Sequence, residues 1–290
     1  MPDTAGLPPF APTPRTRVKR HPERAHYDRE TVFAILDAAL MCHIGYVIDG
    51  KPYVTPTLFW REGERLYWHG SSASRMLRTQ AQGIPVCLTV SHIDALILAR
   101  SAFRHSLNYR AVMAFGTAAI VDDLAEKEAG LNAFIERLYP GRTGHMRGIT
   151  RQELKATSLM GMTIENAAAK IRSGGPLDLE DDYQADVWAG TVPIAQVMGA
   201  PIPDPIAPPD VPAARDAGHF AEGLRFDDVL QALSRGARPY GKKPAAALGR
   251  RRACAQAAGR EPRRRGAARR RSVAALCRAP DRRPADTAQP

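Results

Sequence analysis

The sequence has few cysteines and no long apolar run. None of its four cysteines belongs to a Cys-x-x-Cys pair; they are Cys42, Cys87, Cys254 and Cys277. This spacing supports neither a disulfide framework nor a zinc site, and it is typical of a reducing compartment. The opening MPDTAGLPPFAPTPR lacks the apolar region of a signal peptide, and no run of about 18 apolar residues follows it. We therefore expect a cytoplasmic protein without a membrane span.

A basic excess is also missing from most of the chain. The formal net charge is +11, but residues 250–290 hold 13 Arg and three acidic residues, which leaves 28 Lys and Arg against 27 Asp and Glu in residues 1–249. Nucleic acid is therefore not indicated as a partner of the folded part. From Gly236 onward Arg, Ala, Pro and Gly dominate, and such a segment cannot bury enough apolar surface to fold. We interpret it as a solvated tail, which a shifted reading frame in a GC-rich gene would produce. The alternative is a basic tail that contacts nucleic acid nonspecifically.

Composition divides the chain into three parts. Residues 1–20 are rich in Pro and Thr and end in RTRVKR, which predicts a flexible N-terminal arm whose basic end lies across a partner subunit. Residues 21–213 carry the patterns of a folded domain, and the proline-rich stretch 199–213 marks its end. Residues 214–290 form the tail, which is predicted to be helical near 220–233 and disordered beyond.

Alternating apolar residues predict a β-sheet between residues 42 and 172. HIGYVI and PYVTPTLFW are two strands joined by Asp49-Gly50, because this pair adopts positive φ at little cost. The turn at 62–64 precedes a third strand, over 65–69. Further strands are predicted in the segments IPVCLTVSHI, ALILARSAF, NYRAVMAFGTAAIVDD and SLMGMTIENAAAKI.

Four amphipathic segments predict helices outside the sheet. They start at Asp28, span 72–82, span 123–138, and span 150–157. In the last of them Thr150 and Glu153 have the spacing of a capping box. Gly116 interrupts a predicted strand, which indicates a bulge or a close backbone approach. Together the patterns predict a mainly β fold with flanking helices, an antiparallel barrel of about six strands.

The stretch LYWHGSSASRMLRT, residues 66–79, has the layout of an anion site. An apolar strand runs through Gly70 into serines, and Arg75 and Arg78 follow on a helix. Serine hydroxyls, first-turn N–H groups and guanidinium groups would converge on one point, which suits a phosphate monoester. The alternative is that the serines only cap a surface helix and that the arginines are solvated.

Five segments together resemble the pyridoxamine 5′-phosphate oxidase-like flavoproteins, and more narrowly the flavin-nucleotide-binding branch that contains nitroimidazole-reductase-type proteins. They occur in the family's order over about residues 15–213, and they are HPERAHYDRE (21–30), YWHGSSASRMLR (67–78), ARSAFRHSLNYRAVMAFG (99–116), ELKATSLMGMTIENAAAKIRSGGP (153–176) and VWAGTVP (187–193). The resemblance implies a split β-barrel homodimer with two FMN molecules at the subunit interface.

The resemblance also implies which residues contact the cofactor, some of them from the second subunit. One strand would lie along the isoalloxazine ring, the next would contact the ring and ribityl chain, and the turn after it would hold the phosphate. The implied residues are Thr55, Pro56, Thr57 and Leu58 along the ring, Trp68, His69 and Gly70 at the ring and ribityl chain, Ser71, Ser74, Arg75 and Met76 at the phosphate, and Asn108, Tyr109, Arg110 and Trp188 completing the pocket.

This chain departs from the oxidase at two places. The oxidase has a lysine where this chain has Met76, so Arg78 or Lys170 is expected to supply the missing charge. The oxidase's arginine and histidine set for pyridoxal phosphate is not evident near the C-terminus, which argues against the vitamin as substrate.

Several implied contacts have a structural interpretation as well. On its own pattern His69 is a backbone-bonded histidine, whereas the resemblance favours a flavin contact. Trp60 and Trp68 flank one turn, and both are explained equally well as the core of a hairpin. Tyr109 and Arg110 point to opposite faces of a strand, so only one of them can face a ligand directly. No metal site is predicted, and three strand residues are interpreted as buried without a ligand role: Cys42, His43 and Cys87.

The resemblance implies redox chemistry, which a bound FMN would supply while the protein orients it. We expect a two-electron oxidoreduction of a small organic substrate, with NAD(P)H or O₂ as second substrate, and no catalytic acid or base is assigned. Arg110 or a backbone N–H near the flavin N1 would stabilise the reduced ring. Two alternatives stay open, a non-catalytic FMN carrier or sensor and a haem-binding relative on the same barrel, which would need an axial histidine facing a roomy cleft.

Overall fold

The fold is built on one antiparallel sheet of nine strands. The computed structural model describes residues 6–206 and 217–236, which belong to a compact unit over residues 1–242. The strands are β1 (Ala25–His26), β2 (Met41–Ile48), β3 (Lys51–Glu62), β4 (Arg65–Ser71), β5 (Pro85–Leu98), β6 (Ser106–Ile120), β7 (Thr157–Thr163), β8 (Asn166–Arg172) and β9 (Gly190–Pro193). The α-helices are α1 (Arg29–Asp37), α2 (Arg75–Gln80), α3 (Leu124–Leu138), α4 (Arg151–Ala156) and α5 (Phe226–Gly236).

Six strands close into a ring, and three extend it. The order β1-β8-β6-β7-β4-β3-β2-β5-β9 is joined by an additional pairing of β5 with β6, so that β6, β7, β4, β3, β2 and β5 form the barrel. All the pairings are antiparallel. This confirms the mainly β fold with flanking helices and a barrel of about six strands. None of the helices within residues 6–206 and 217–236 is long and apolar enough to cross a membrane.

Local sequence signals are confirmed at the turns and helix starts. Asp49 and Gly50 both have positive φ and join β2 to β3 in a two-residue hairpin. The Asp28 side chain accepts from Thr31 N, which begins α1. A capping box at Thr150 begins α4. Each of these features depends on residues within four positions of one another, which is why the pattern alone located them.

Two strand predictions are corrected. The segments IPVCLTVSHI and ALILARSAF were expected as separate strands, but they form the single strand β5, with a register shift between Ile93 and Ala95 that absorbs one extra residue as a bulge. The segment SLMGMTIENAAAKI was expected as one strand, but it forms β7 and β8, because the chain turns after Thr163 and both strands pair with β6. The helix expected over 72–82 is shorter, over Arg75–Gln80.

Part of the segment expected as a flexible arm, residues 1–20, packs on the domain through Phe10, whereas residues 1–5 lie outside the described residues. Phe10 is 4% exposed and packs edge-on against Phe33 of α1, with ring centroids 6.2 Å apart. The Arg29 guanidinium lies 4.0 Å from the Phe10 ring centroid, and Phe10 N donates to Tyr27 O. A single buried aromatic ring therefore anchors this otherwise polar segment.

The C-terminal helix α5 also packs on this unit, beyond the domain end expected at residue 213. Leu230 is buried in a core that it shares with Phe134 of α3. Arg137 Nη2 donates to Ser234 Oγ at 2.5 Å, and Gln231 Nε2 donates to Ala34 O at 3.2 Å. The predicted helix near 220–233 is therefore part of the packed structure, whereas the predicted disorder after residue 236 lies outside the described residues.

A buried ionic cluster joins four of these elements. Asp37, at the end of α1, accepts hydrogen bonds from both Arg61 of β3 and Arg137 of α3. Arg61 Nη1 donates to Gly63 O at 2.6 Å, and Arg137 Nη1 donates to Arg61 O at 2.7 Å. All three charged side chains are at most 10% exposed. One carboxylate is therefore shared by two buried cations beneath α5.

Gly116 lies where two strands approach each other closely, which confirms one of the two expectations for it. A Cβ atom at this position would lie 2.3 Å from Thr163 O and 2.7 Å from Met162 Cγ. We therefore expect Gly116→Ala to lower the free energy of unfolding by about 1–3 kcal/mol, because a backbone carbonyl must move. Gly148→Ala is the control, since nothing lies within 4 Å of its Cβ position. Equal urea midpoints for the two variants would contradict the close approach.

Candidate functional site

One edge of β3 is open over its first eight residues. Residues 51–58 pair with β2, and β4 pairs with β3 only from Phe59 onward. Phe59 N donates to Leu40 O, so odd-numbered residues of β3 direct their amides to β2 and even-numbered residues direct theirs to the open edge. Pro52 and Pro56 occupy two of the even positions, and they have no N–H to donate. Val54 and Leu58 are left as the backbone donors on this edge.

The turn after β4 is held in place by α4. Ser72 N donates to Ala156 O at 2.8 Å, and Ser74 N donates to Ser71 O at 2.9 Å. Ser71 Oγ accepts from Ala73 N at 3.2 Å. Ser74 stands at the N-cap of α2, but its hydroxyl makes no capping bond, so it is available to another acceptor. The alternative interpretation, that the serines of this stretch only cap the helix, therefore does not hold for Ser74.

Arg75 lies beside β3, over the ring of Tyr53. Its guanidinium is 4.8 Å from the ring centroid of Tyr53, and the Arg75 side chain is exposed. Tyr53 stacks on Tyr46 at 5.7 Å, and Tyr46 Oη lies 3.1 Å from Thr55 Oγ1. The structure therefore brings the predicted residues Thr55 and Arg75 together. Tyr53 is a site residue that the sequence reasoning missed, although its place on a strand with Pro52 and Pro56 was a signal of an edge.

Trp68 and Met76 face the core. Trp68 is 0% exposed, and its Nε1 donates to Gln80 Oε1 at 2.9 Å. Met76 is buried as well. The indole of Trp68 is therefore placed differently from the implied flavin contact, because alternation along β4 turns Leu66 and Trp68 inward. The hairpin-core interpretation of Trp60 and Trp68 is confirmed, since both are buried.

His69 faces the opposite side of β4, toward α3. Its ring centroid lies 6.0 Å from that of Trp60 and 5.5 Å from that of Phe134. Its Nδ1 is buried and has no hydrogen-bond partner among the described residues. Burial lowers the pKa of His69, so the imidazole is neutral at neutral pH. The backbone-bonded histidine of the alternative interpretation is therefore not found.

A second group of predicted residues lies toward the start of β6. Asn108 is buried; its Nδ2 donates to Gly174 O at 2.9 Å, and its Oδ1 accepts from Arg172 Nη1 at 2.5 Å. Tyr109 is half-buried and stands opposite Ile93 and Arg172. These bonds fix Asn108 as a brace for the loop that follows β8.

Arg110 is held by two carboxylates. Its Nη2 donates to Asp94 Oδ1 at 2.7 Å and to Asp227 Oδ2 of α5 at 3.0 Å. Asp94 is the residue at the β5 bulge. The guanidinium therefore ties the bulge to α5 through Nε and Nη2.

Trp188 lies on the loop before β9 and is 64% exposed. A Cβ at Gly190 would lie 2.7 Å from Trp188 Cζ2, so the glycine makes room for the indole. Arg100 tethers this loop, since its N and Nη1 donate to Asp178 and its guanidinium lies 4.7 Å from the Tyr183 ring centroid. The exposed indole is thus presented on an anchored loop.

The two groups are well separated within one chain. Thr55 is joined through β2 and β5 to Ala114 of β6, and Arg110 lies four residues before Ala114. With about 4.8 Å between strands and about 3.4 Å per residue, Thr55 and Arg110 lie on the order of 20 Å apart along the sheet. One chain therefore does not bring all the predicted residues around one flavin ring.

The outer face of the barrel strands is apolar and exposed. Leu107, Leu96 and Val192 are register partners across β6, β5 and β9, and each is about two-fifths exposed. Strands β2, β3, β5 and β6 carry further exposed apolar side chains, namely Met41, Val47, Val54, Leu58, Ile93 and Met113. Exposed apolar side chains in register across neighbouring strands are typical of a protein interface.

Comparison with known proteins identifies close structural relatives. Residues 28–171 match the family model described as pyridoxamine 5′-phosphate oxidase. The flavocytochrome Anf3 from Azotobacter vinelandii is 45% identical with a TM-score of 0.69, over 74% of this chain and 100% of that chain. The FAD and heme binding protein from Mycobacterium smegmatis is 33% identical with a TM-score of 0.66, over 70% of this chain and 98% of that chain. No match is found among curated proteins.

Proposed function

Because the chain belongs to the pyridoxamine 5′-phosphate oxidase-like family of flavin-binding proteins, we propose that it is a flavin-dependent oxidoreductase that also holds a haem. The observation that carries the flavin part is the open edge of β3 beside the Ser71–Arg75 turn. The haem part is supported by the two relatives, which are described as a flavocytochrome and as an FAD and heme binding protein.

The open edge and the turn have complementary roles in the proposed site. The N–H groups of Val54 and Leu58 and the carbonyls between them bond the polar edge of the isoalloxazine ring, as a neighbouring strand would. The Ser74 hydroxyl and the Arg75 guanidinium bind a phosphate group of the flavin. Tyr53 supports Arg75 through its ring, since the cation lies over the aromatic face.

We propose FAD as the resident flavin, in place of the FMN that the resemblance implied. The Mycobacterium smegmatis relative is described as FAD-binding at 33% identity. Arg75 and Arg78 stand one turn apart and are both exposed on α2, so two cations are available to a pyrophosphate. Arg78 also supplies the charge that Met76 lacks, whereas Lys170 lies on β8, opposite Ala25 and Ala111.

We infer that the working unit is a homodimer. The predicted site residues form two groups on the order of 20 Å apart on one chain, and a second copy would bring its own Trp188 loop to the first copy's β3 edge. The exposed apolar face of β5, β6 and β9 adjoins the second group, since Leu107 precedes Asn108 on β6, and it is suited to cover the same face of the partner. An isologous contact of this kind completes two equivalent sites at once.

A bound flavin supplies hydride and single-electron chemistry, and a bound haem supplies single-electron chemistry. The chain's own part is to bind, orient and shield. No proton transfer by a side chain is required for hydride uptake, and Arg110 is already neutralised by Asp94 and Asp227. The backbone N–H groups of the β3 edge are therefore the groups that stabilise charge on the reduced ring. NAD(P)H or O₂ remains the proposed second substrate for a small organic molecule.

The test compares the purified full chain with Arg75→Ala. We expect the parent protein to carry FAD, identified by mass after release, to have the mass of a dimer by light scattering, and to oxidise NAD(P)H. Loss of a charge-assisted phosphate contact should weaken flavin affinity roughly 10- to 150-fold in Arg75→Ala. Arg151→Ala, which changes an exposed arginine of α4, is the control and should bind flavin as the parent does.

Three results would contradict parts of this proposal. Unchanged flavin affinity in Arg75→Ala would move the phosphate site elsewhere. If the released flavin is FMN, the resident flavin is the mononucleotide that the resemblance implied and not FAD. A protein that binds flavin but turns over no reductant would be a flavin carrier.

A further inference from the structure

The histidines differ in whether their ring nitrogens are already engaged. All eight histidines of the chain lie in the described residues. His21 pairs with Glu23, the His92 ring bonds Ile35 O, and the His105 ring bonds Ser101 O. The histidines whose ring nitrogens make no hydrogen bond to a described residue are His26, His43, His69, His145 and His219.

Among these five, only His69 has a ring that packs against aromatic side chains. Trp60 and Phe134 enclose its Nδ1 edge, and Nδ1 is buried without a partner. Its Nε2 has no partner either, yet it is not among the enclosed atoms, so this nitrogen is the one directed to the surface. His43, His145 and His219 are exposed and have no comparable aromatic packing among the described residues.

The packing of Trp60 and Phe134 against His69 determines which of its ring nitrogens can act as a ligand. An N–H at Nδ1 lies against the aromatic rings, which accept it weakly, and this leaves the lone pair on Nε2. Cys42 is unsuited to the role because burial raises the pKa of its thiol to about 12.

The surface beside His69 suits a planar apolar ligand. Phe59 of β3 pairs with Trp68 of β4 in an antiparallel register. Leu58, which precedes Phe59, and His69, which follows Trp68, therefore occupy adjoining positions on the outer face. Met41 is the register partner of Leu58. Met41 and Leu58 are exposed large apolar side chains, 56% and 39% respectively. Nε2 is therefore presented at the border of an uncovered apolar row.

We propose that His69 is the protein ligand of the haem iron, bound through Nε2, with the porphyrin covering the row of Met41 and Leu58. The proposal rests on the proposed function in that a haem is bound. Ligation uses the lone pair of Nε2, so no proton is displaced and no electron is transferred. His69 itself lies beside Leu58 of the β3 edge and against Phe134 of α3.

The rival site is a cavity of about 890 Å³ between α3 and α5, which His219 lines. It is large enough for a haem, but its charged lining residues are engaged. Arg137 is bonded to Asp37 and Ser234, and Arg225 pairs with Asp227. Glu136 and Asp228 also line it and would repel propionates. His219 is therefore the weaker candidate.

The experiment replaces His69 by phenylalanine, which keeps an aromatic ring against Trp60 and Phe134 and removes the ligand atom. The full chain is purified from cells supplied with haem, and the Soret band, the haem content and the flavin content are measured. Changes in the surroundings of a ligand alone lower metal affinity about 10- to 100-fold. We therefore expect His69→Phe to lose at least about tenfold in haem affinity with its flavin content unchanged.

Controls separate the possible outcomes. His43→Ala removes another unbonded histidine of the outer face and should keep the Soret band. His69→Gly should regain the band when imidazole is added, which shows that the loss is one of ligation and not of folding. An unchanged band in His69→Phe, or its loss in His219→Ala, would overturn the assignment of His69. A parent protein that carries flavin but takes up no haem would overturn the haem part of the proposed function and this inference with it.

Discussion

Replacement of Asp37 by alanine is expected to lower the free energy of unfolding by about 3–5 kcal/mol. Asp37 is the shared acceptor of Arg61 and Arg137, and the side chains of these arginines are 4% and 10% exposed. Without the carboxylate, two cations remain in a region from which water is largely excluded. The cost comes mainly from the unpaired charges and not from the lost attraction, since a paired buried ion contributes little net stability.

Urea unfolding of the full chain measures this effect through the midpoint, provided that the slope is unchanged. Asp181→Ala is the control, because Asp181 is exposed and should change stability by no more than about 0.5 kcal/mol. Asp37→Asn distinguishes charge from shape, since it keeps the hydrogen-bonding oxygen and removes the charge. A midpoint for Asp37→Ala equal to that of the control would mean that Gly63 O and Ser234 Oγ suffice for the two arginines.

The sequence predicted the parts of the fold that depend on neighbours along the chain. Asp49-Gly50 makes a hairpin because both residues tolerate positive φ, whatever the rest of the chain does. Asp28, Asp123 and Thr150 begin helices because each side chain bonds an amide three residues later. These features were located correctly from the pattern alone.

Features that depend on distant partners were not predictable in this way. Asp37 is 24 residues from Arg61 and 100 residues from Arg137. Asp94 stands between the two strands predicted from the sequence, and only the pairing with β6 makes it a bulge within a single strand. The position of α5 likewise depends on Ser234 and Leu230 meeting α3. No local pattern contains these contacts.

The candidate site was predicted in part. The Ser71–Arg75 turn and the β3 strand were identified, and the structure brings Thr55 and Arg75 to one place. Trp68 and His69 were both assigned as flavin contacts, although neighbouring residues of a strand point to opposite faces. The same argument had been applied to Tyr109 and Arg110. A haem ligand leaves little trace in sequence, since one histidine with a free nitrogen differs from the others only in its surroundings.

The core position of Trp68 predicts a large loss of stability in Trp68→Ala. Removal of a fully buried indole should cost about 3–5 kcal/mol. The change also leaves Gln80 with its Oε1 unbonded, while its Nε2 already has no partner among the described residues. Trp68→Phe keeps most of the volume and should lose only about 1–3 kcal/mol, which is the cost of an unsatisfied buried amide.

Trp188→Ala provides the opposite result and therefore the sharpest comparison. Trp188 is 64% exposed, so its removal should change the free energy of unfolding by no more than about 0.5 kcal/mol. If its loop completes the partner's flavin site, the same change should speed flavin release. Both variants are unfolded in urea after the flavin has been removed, since bound ligand would stabilise the native state. If Trp68→Ala were as stable as the parent but bound flavin weakly, the indole would have to face the cofactor, and alternation along β4 would have to be reversed.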